Sequence, residues 1–481
     1  MAKVILIDPL GFLNIDQGAH VFPNVGIAYL VSSLKSAGHE CLVIDCNNNV
    51  VSDASVFDRI QDYRPDLVGF SIKSSTAAES RRLAEEVKKH YPNIPIIAGG
   101  LHATIAWRDL VVQPWFDIVF IGEGEKILPE ICKRLLAGTD IMNLPGVLTK
   151  GNYETDVSGK QYLTPALELN DLPVPAYELF SEGVQQSLKK EYPLVTSRGC
   201  VYRCAYCSVP KINGKICRMR SSASVIAELQ EAHRKYGTTA FQVIDDLFNF
   251  DTSRCKQICM VLIESGLSMQ WSCPNGLRAD RIDSELAGLM YQAGCRSVNV
   301  GIESVDRDVL AAISKGETIE SIERGIRIFQ SAGISVGGFF IIGLPGDSLR
   351  AQKRNLAFVK KIGIGALFGM FVPYPGTELW DWAKKNARFT RSFEDGLHYS
   401  VTSAKPESII ETVDFSAADR LRAYEMIYTR MGQFSRLIPS GVRGLRSLLR
   451  VITLLWKYDK GSLVPYIVKA MINKAKRMAK R

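Results

Sequence analysis

No uninterrupted apolar run in this 481-residue chain is long enough to cross a bilayer, so no helical membrane span is expected. The opening residues, Met1-Ala-Lys-Val-Ile-Leu-Ile-Asp8, run straight into a strand pattern without the basic-then-apolar leader of an exported protein. A cytoplasmic protein with reduced thiols follows as the expectation. Eleven cysteines, an odd number in a long chain, do not suit a disulfide framework. Histidine is scarce, and the six are scattered as His20, His39, His90, His102, His233 and His398. Apolar residues at 46% and charged residues at 23% are ordinary for a globular chain, here long enough for two or three domains.

What is present is led by one stretch, Ser197-Arg-Gly-Cys-Val-Tyr-Arg-Cys-Ala-Tyr-Cys-Ser208. Three residues and then two separate Cys200, Cys204 and Cys207, so one loop can bring three thiolates to a small inorganic centre that still lacks a fourth protein ligand. A structural zinc site would want that fourth ligand, and no histidine lies in the loop to supply it. Of the other cysteines, Cys255 and Cys259 share a helix face whose apolar neighbours suit core packing.

Residues 1–137 alternate apolar runs with helical patterns, the rhythm of an open, doubly wound parallel sheet. Strands are expected at Val4–Pro9, Glu40–Cys46, Asp66–Ser71, Ile94–Gly99 and Asp117–Gly122. Ligands of such sheets bind beyond the carboxyl ends of the strands. The loops there carry Ser71 and Ser74, then Gly99, Gly100 and His102, then Gly122 and Glu123. Small and hydroxyl residues allow close approach to the backbone, although the same residues also build plain turns. Residues 138–190, rich in Pro, Asp and Asn, read as a linker. Residues 191–380 repeat the αβ rhythm with six strands, at Leu194–Arg198, Phe241–Asp245, Gln270–Asn275, Ser297–Ile302, Val336–Gly343 and Ala366–Pro373. That is too short for an eight-fold barrel and fits a partial (β/α)6 barrel, with function at the carboxyl ends of its strands. Residues 381–481 read as a helical region.

The Cys200/Cys204/Cys207 loop, with Tyr206 before its last cysteine, resembles the signature of the radical S-adenosylmethionine (SAM) enzymes. The order Pro23-Asn-Val-Gly-Ile-Ala-Tyr-Leu30, Ser36-Ala-Gly-His39, Gly99-Gly-Leu-His102 and Gly122-Glu-Gly-Glu125 resembles the cobalamin-binding domain that precedes the cluster domain in one branch of that superfamily. The resemblance implies a Rossmann-like cobalamin domain before a radical SAM barrel, with a [4Fe-4S] cluster on the three cysteines, SAM on its fourth iron, and cobalamin at the strand ends lined by Ser71, Ser74, Gly99, Gly100, His102, Gly122 and Glu123. It also implies that Asp245 and Asp246 face the SAM ammonium, where the plain alternative is a helix N-cap. Arg278 would grip the SAM carboxylate or, equally, pair with Asp280. Glu303 and Ser304, in Asn299-Val-Gly-Ile-Glu-Ser304, would face its ribose or methionine end, and Ile341-Ile-Gly-Leu-Pro-Gly346 its adenine. Pro373-Tyr-Pro-Gly-Thr377 is a further segment common in this branch.

Two departures qualify the match. The Asp-x-His-x-x-Gly motif of other cobalamin proteins is missing after the first strand, where the chain reads Asp8-Pro-Leu-Gly-Phe-Leu-Asn14; this leaves the lower face of cobalt without an assigned ligand, and His20 and His102 read better as polar lining. No second cluster motif occurs, which separates the chain from the methylthiotransferase relatives. The implied activity is methylation of an unactivated carbon through a 5′-deoxyadenosyl radical and methylcobalamin. Its rivals are cyclisation or oxidation without methyl transfer, and a cobalamin sensor or carrier that cleaves no SAM.

The net charge of +9 belongs to the C-terminus: Arg436–Arg481 holds six Arg and six Lys against Asp459 alone. Stretches at Arg443–Trp456 and Leu463–Lys480 either cap the barrel or rest on an anionic membrane surface. With no stacking module beside the charge, no nucleic-acid partner is expected. The expected partners are a small-molecule or lipid substrate and an external one-electron reductant of the flavodoxin or ferredoxin type, with cytoplasmic or membrane-peripheral location.

Overall fold

The computed structural model describes residues 1–10, 22–47, 51–154, 167–392, 407–437 and 445–459. His20, His398 and the expected helix Leu463–Lys480 lie outside the described residues. The chain forms two compact units, one of Met1–Gly301, Ser314–Gly338 and Pro373–Asp381, the other of Ile302–Ile313, Phe339–Val372 and Trp382–Arg481.

The first unit begins with a six-stranded sheet of β1 (Lys3–Asp8), β2 (Glu40–Asp45), β3 (Leu67–Ser71), β4 (Ile96–Gly99), β5 (Ile118–Phe120) and β6 (Val147–Leu148). Their order is β2-β1-β3-β4-β5-β6, parallel except for β6 against β5. Strand β1 is buried along nearly its whole length, which is why it reads as an unbroken apolar run rather than an alternation. Chain order reverses between β1 and β3, and a switch point of that kind opens a crevice at the carboxyl ends. Helix Val25–Ser36 starts there, capped by Asn24, whose Oδ1 accepts from Ile27 N at 3.2 Å. The same Asn24 donates through Nδ2 to Asp8 at 2.9 Å and to Ser71 at 3.2 Å, tying the ends of β1 and β3 together.

The Pro-rich stretch after β6 lies along helix Val25–Ser36. Ala176 N donates to Ala28 O at 3.1 Å, and Ser32 Oγ donates to Val174 O at 2.6 Å. Strand β6 was not expected, because two residues inside a Pro-rich stretch carry no period.

The second sheet of this unit holds β7 (Tyr192–Leu194), β10 (Ala240–Val243), β11 (Gln270–Leu277) and β12 (Cys295–Glu303), parallel in that order. Between them a two-stranded antiparallel ribbon joins β8 (Ser197–Arg198) to β9 (Arg218–Met219). The sequence suggested a single strand from Leu194 to Arg198. It breaks because Thr196 N donates to Asp245 Oδ1 at 2.6 Å instead of continuing the ladder. Strand β13 (Ser335–Ile342) passes from the first unit into the second, where β14 (Gly365–Met370) pairs with it, so six barrel strands are present.

In the second unit, Tyr428 on helix Ala417–Arg430 donates to Phe368 O and accepts from Phe368 N, both at 2.9 Å. Helix Leu445–Asp459 buries Val451, Leu454 and Leu455, and exposes Leu449 and Trp456. Among the described residues no helix is long and apolar enough to cross a membrane.

Candidate active site

The loop that follows β8 carries Cys200, Cys204 and Cys207, all free thiols of intermediate exposure. Its entry is set by Gly199, at φ +91°, which lies flat against the turn formed by residues 213–216. An added Cβ would stand 2.2 Å from Ile216 O, so only glycine fits. Cys200 N donates to Gly214 O at 3.4 Å across the same contact, and Cys207 N to Cys204 O at 3.0 Å. Burial pushes the Cys200 thiol up and the Cys207 thiol up to about 12, with backbone N–H groups of Tyr202 and Val209 opposing it. Such thiols hold their protons at neutral pH until a metal displaces them. Among the described residues no three His, Cys, Asp or Glu side chains close on a single-ion position, these cysteines included. Tyr206 sits half-buried between the last two cysteines. The Pro373–Thr377 segment ends at this loop, where Leu379 N donates to Ala205 O at 3.0 Å.

The paired acids after β10 divide their work. Asp245 is fully buried and accepts from Thr196 N, from Thr196 Oγ1 at 2.5 Å and from Ser197 Oγ at 2.7 Å. It therefore anchors the start of β8 instead of presenting a carboxylate to a ligand, as the resemblance implied. Asp246 reaches the cluster loop, accepting from Gly199 N at 2.8 Å and Asn213 Nδ2 at 2.7 Å. Burial pushes both carboxyls up against these donors. The helix N-cap that follows is Asp251, so neither acid serves as that cap.

Arg278 takes the ion-pair alternative, in a buried form. Its fork grips Asp280 with two contacts of 2.9 Å, and Nη1 donates to Lys315 O at 2.9 Å. The guanidinium lies 3.6 Å from the ring centroid of Tyr202, in the cluster loop, while Arg281 donates to the Tyr202 hydroxyl at 2.9 Å. Instead of offering an open fork to a carboxylate, Arg278 supports the loop through the ring of Tyr202. Glu303 and Ser304 belong to the second unit. Glu303 is buried at φ +63°, a conformation rare for a residue with a side chain. The Ser304 hydroxyl accepts from Asp306 N at 3.1 Å and donates to Asn355 Oδ1 at 3.4 Å, a structural cap and not an exposed contact.

A cavity of about 310 Å³ opens at the carboxyl ends of β1, β3, β4 and β5 and extends to Ser197, Arg198 and Asp246. Of the residues expected at a ligand, Ser71, Gly99, Gly100, Gly122 and Glu123 line this cavity. Ser74 and His102 are not among its lining residues. The Ser74 hydroxyl meets His102 Nδ1 at 3.1 Å, and the buried imidazole is pushed down to about 4 by its burial and by Arg81.

The Gly122-Glu-Gly-Glu125 loop makes a clasp that the sequence did not disclose. Glu123 accepts from Arg218 at 2.7 and 2.8 Å and from Arg198 at 3.1 Å, and Glu125 pairs with Arg198 at 2.7 Å. Burial alone would raise the Glu123 carboxyl; the two guanidiniums hold it below the usual range. Arg218 also donates to Asn213 O at 3.1 Å, and Asn213 in turn donates to Asp246. One polar network thus runs from the end of β5 to the residue before Cys200.

Two family models match in tandem, the B12 binding domain over residues 14–132 and the radical SAM superfamily over residues 194–358. The chain belongs to the cobalamin-binding radical SAM enzymes. Its cofactors are those of the family: cobalamin, a [4Fe-4S] cluster and SAM. The donor chemistry fits, with three unbridged cysteines on one loop and a glycine-edged cavity reaching it. An uncharacterized methyltransferase of Pyrococcus horikoshii is 29% identical over 368 residues, spanning 76% of this chain and 79% of that protein. Cytidylyl-2-hydroxyethylphosphonate methyltransferase of Streptomyces wedmorensis is 26% identical over 433 residues, 78% of this chain and 80% of that protein. Among solved structures, the radical SAM methyltransferase TsrM of Kitasatospora setae superposes with a TM-score of 0.67 at 19% identity, covering 82% of this chain and 79% of its own.

Proposed function

We propose that this radical SAM enzyme methylates an unactivated carbon of a small-molecule substrate. The carrying observation is one cavity that touches both the strand ends of the first sheet and the residues entering the cluster loop. When bound, cluster and SAM supply a one-electron cleavage that yields a carbon radical, and cobalamin supplies the methyl group.

The chain's own residues contribute position and dryness. Cys200, Cys204 and Cys207 hold the cluster. Asp246 fixes the loop entry through Gly199 and Asn213, and Tyr202 holds its middle between Arg278 and Arg281. Ser71, Gly99, Gly100 and Gly122, which line the cavity, would hold cobalamin, and the apolar Leu6, Ile97, Phe120 and Leu128 would exclude water there. The substrate class that helix Leu445–Asp459 favours is amphipathic: it exposes Leu449 and Trp456, and the sequence that follows it is strongly basic, a composition suited to an anionic membrane surface. Unchanged activity and no affinity for anionic vesicles in a protein ending at residue 440 and in the full chain alike would remove that part of the proposal.

The test is anaerobic reconstitution with iron, sulfide, hydroxocobalamin and SAM, then reduction with dithionite. The expected results are 5′-deoxyadenosine that vanishes in Cys204→Ala and about one cobalt per chain after desalting. Cleavage without cobalt would overturn the cobalamin role, and cobalt with a reducible cluster but no cleavage would overturn the enzyme.

A further inference from the structure

From Tyr192 to Ala227 the chain contains six cations, Arg198, Arg203, Lys211, Lys215, Arg218 and Arg220, and no acid. They fall into two groups. Arg198 and Arg218 are turned inward to Glu123 and Glu125, and Arg220 to Glu228. Arg203, Lys211 and Lys215 are exposed, and none has an acidic partner among the described residues. Exposed cations on helices of the same unit behave differently: Arg82, Lys89 and Lys133 each reach a carboxylate three or four residues away.

The unpaired cations surround the cluster loop. Arg203 lies between Cys200 and Cys204, and Lys211 is on the short helix Val209–Ile212 directly after Cys207. Lys215 belongs to the turn whose Gly214 carbonyl accepts from Cys200 N and whose Ile216 carbonyl presses on Gly199. Beside it the Ile216 side chain is 71% exposed, a large apolar group turned to solvent at the edge of the loop. A large exposed apolar side chain neighboured by unpaired cations of one sign has the composition of a small, transient protein interface. Positive potential concentrated on one face speeds the arrival of a negatively charged partner.

We propose that this face docks an acidic one-electron carrier protein. The inference rests on the reading that the three cysteines hold a redox cluster, and it adds where the electron enters. In the transfer the carrier is oxidised by one electron and the cluster reduced by one, with no bond formed or broken. Ile216 is the contact at the centre, and Arg203, Lys211 and Lys215 form the steering rim.

The test uses the reconstituted holoenzyme and a reduced acidic flavodoxin, with the rate of cluster reduction followed by stopped flow at rising NaCl. Wild type should slow as salt rises. Lys211→Glu with Lys215→Glu should lower the low-salt rate at least about ten-fold and flatten the salt dependence. 5′-Deoxyadenosine formed after complete reduction by a small-molecule reductant should be unchanged. The pair Lys211→Gln and Lys215→Gln removes charge without adding repulsion and should give a smaller loss in the same direction. A flavodoxin rate unaffected by both pairs, or one indifferent to salt in wild type, overturns the docking face. So does a loss confined to the small-molecule reaction, which would assign the cations to substrate. Absence of 5′-deoxyadenosine from chemically reduced wild type is a separate result, and counts against the proposed function instead.

Discussion

Replacing Gly199 by alanine puts a methyl group where the chain has no room for it. The new Cβ would lie 2.2 Å from Ile216 O and 3.0 Å from Asn213 O, so the turn must retreat by roughly an ångström to restore ordinary contact. Holding alanine at φ +91° costs about 1–2 kcal/mol, and losing the Cys200 N–H bond to Gly214 adds about 1 kcal/mol. The total, about 2–3 kcal/mol, falls on the residue next to a cluster ligand. Gly214→Ala is the matched control, because Gly214 has φ +86° but nothing within 4 Å of its added Cβ. It should cost only the backbone term, about 1–2 kcal/mol. Iron per chain after anaerobic reconstitution, and thermal unfolding of the protein before it, separate the two. Gly199→Ala should lose most of its iron while Gly214→Ala keeps it. Equal iron and equal unfolding temperatures in the two variants would refute the reasoning that close packing against the turn places Cys200.

Two further outcomes follow from buried charge. His102, pushed down to about 4 from an unfolded value near 6.5, contributes stability that is complete above pH 6.5 and is lost as pH falls toward 4; by pH 4 the loss approaches about 3 kcal/mol, and His102→Gln should flatten the unfolding free energy across that window. Glu123, held below its usual range, contributes stability present above its unfolded value near 4.3 and lost as pH falls through the lower folded value; Glu123→Gln should cost about 2–3 kcal/mol at pH 7 in urea unfolding and abolish that acid-dependent component.

The parallel strands of both sheets were largely legible because buried parallel strands write themselves as apolar runs such as Lys3–Asp8, whereas antiparallel β6 was not, and the cysteine spacing was legible because it is local. Side-chain direction was not. Asp245 and Asp246 are neighbours of one type, yet they take different partners: one is consumed by Thr196 and Ser197, and the other holds Gly199. For Arg278 the local pair with Asp280 was one of two readings, while its contact to Lys315 O, 37 residues on, was hidden; Ser304 was read as a ligand contact, but its partner Asn355 lies 51 residues further on. The clasp was hidden for the same reason, since Glu123 meets Arg198 and Arg218 across 75 and 95 residues and nothing in either local pattern names the other.

That clasp makes the N-terminal sheet something other than a detachable module. A protein trimmed to begin near residue 190 would keep Arg198 and Arg218 beside the cluster loop while discarding Glu123 and Glu125, the acids that neutralise them. A graft of the first 137 residues of a relative onto this barrel should fold with an intact cluster loop only where the donor brings acids at both positions, which its iron content after reconstitution would check. Inheritance of the two halves is therefore coupled through four side chains, and a change of substrate range by exchange of whole domains has to carry this salt-bridged seam along with it.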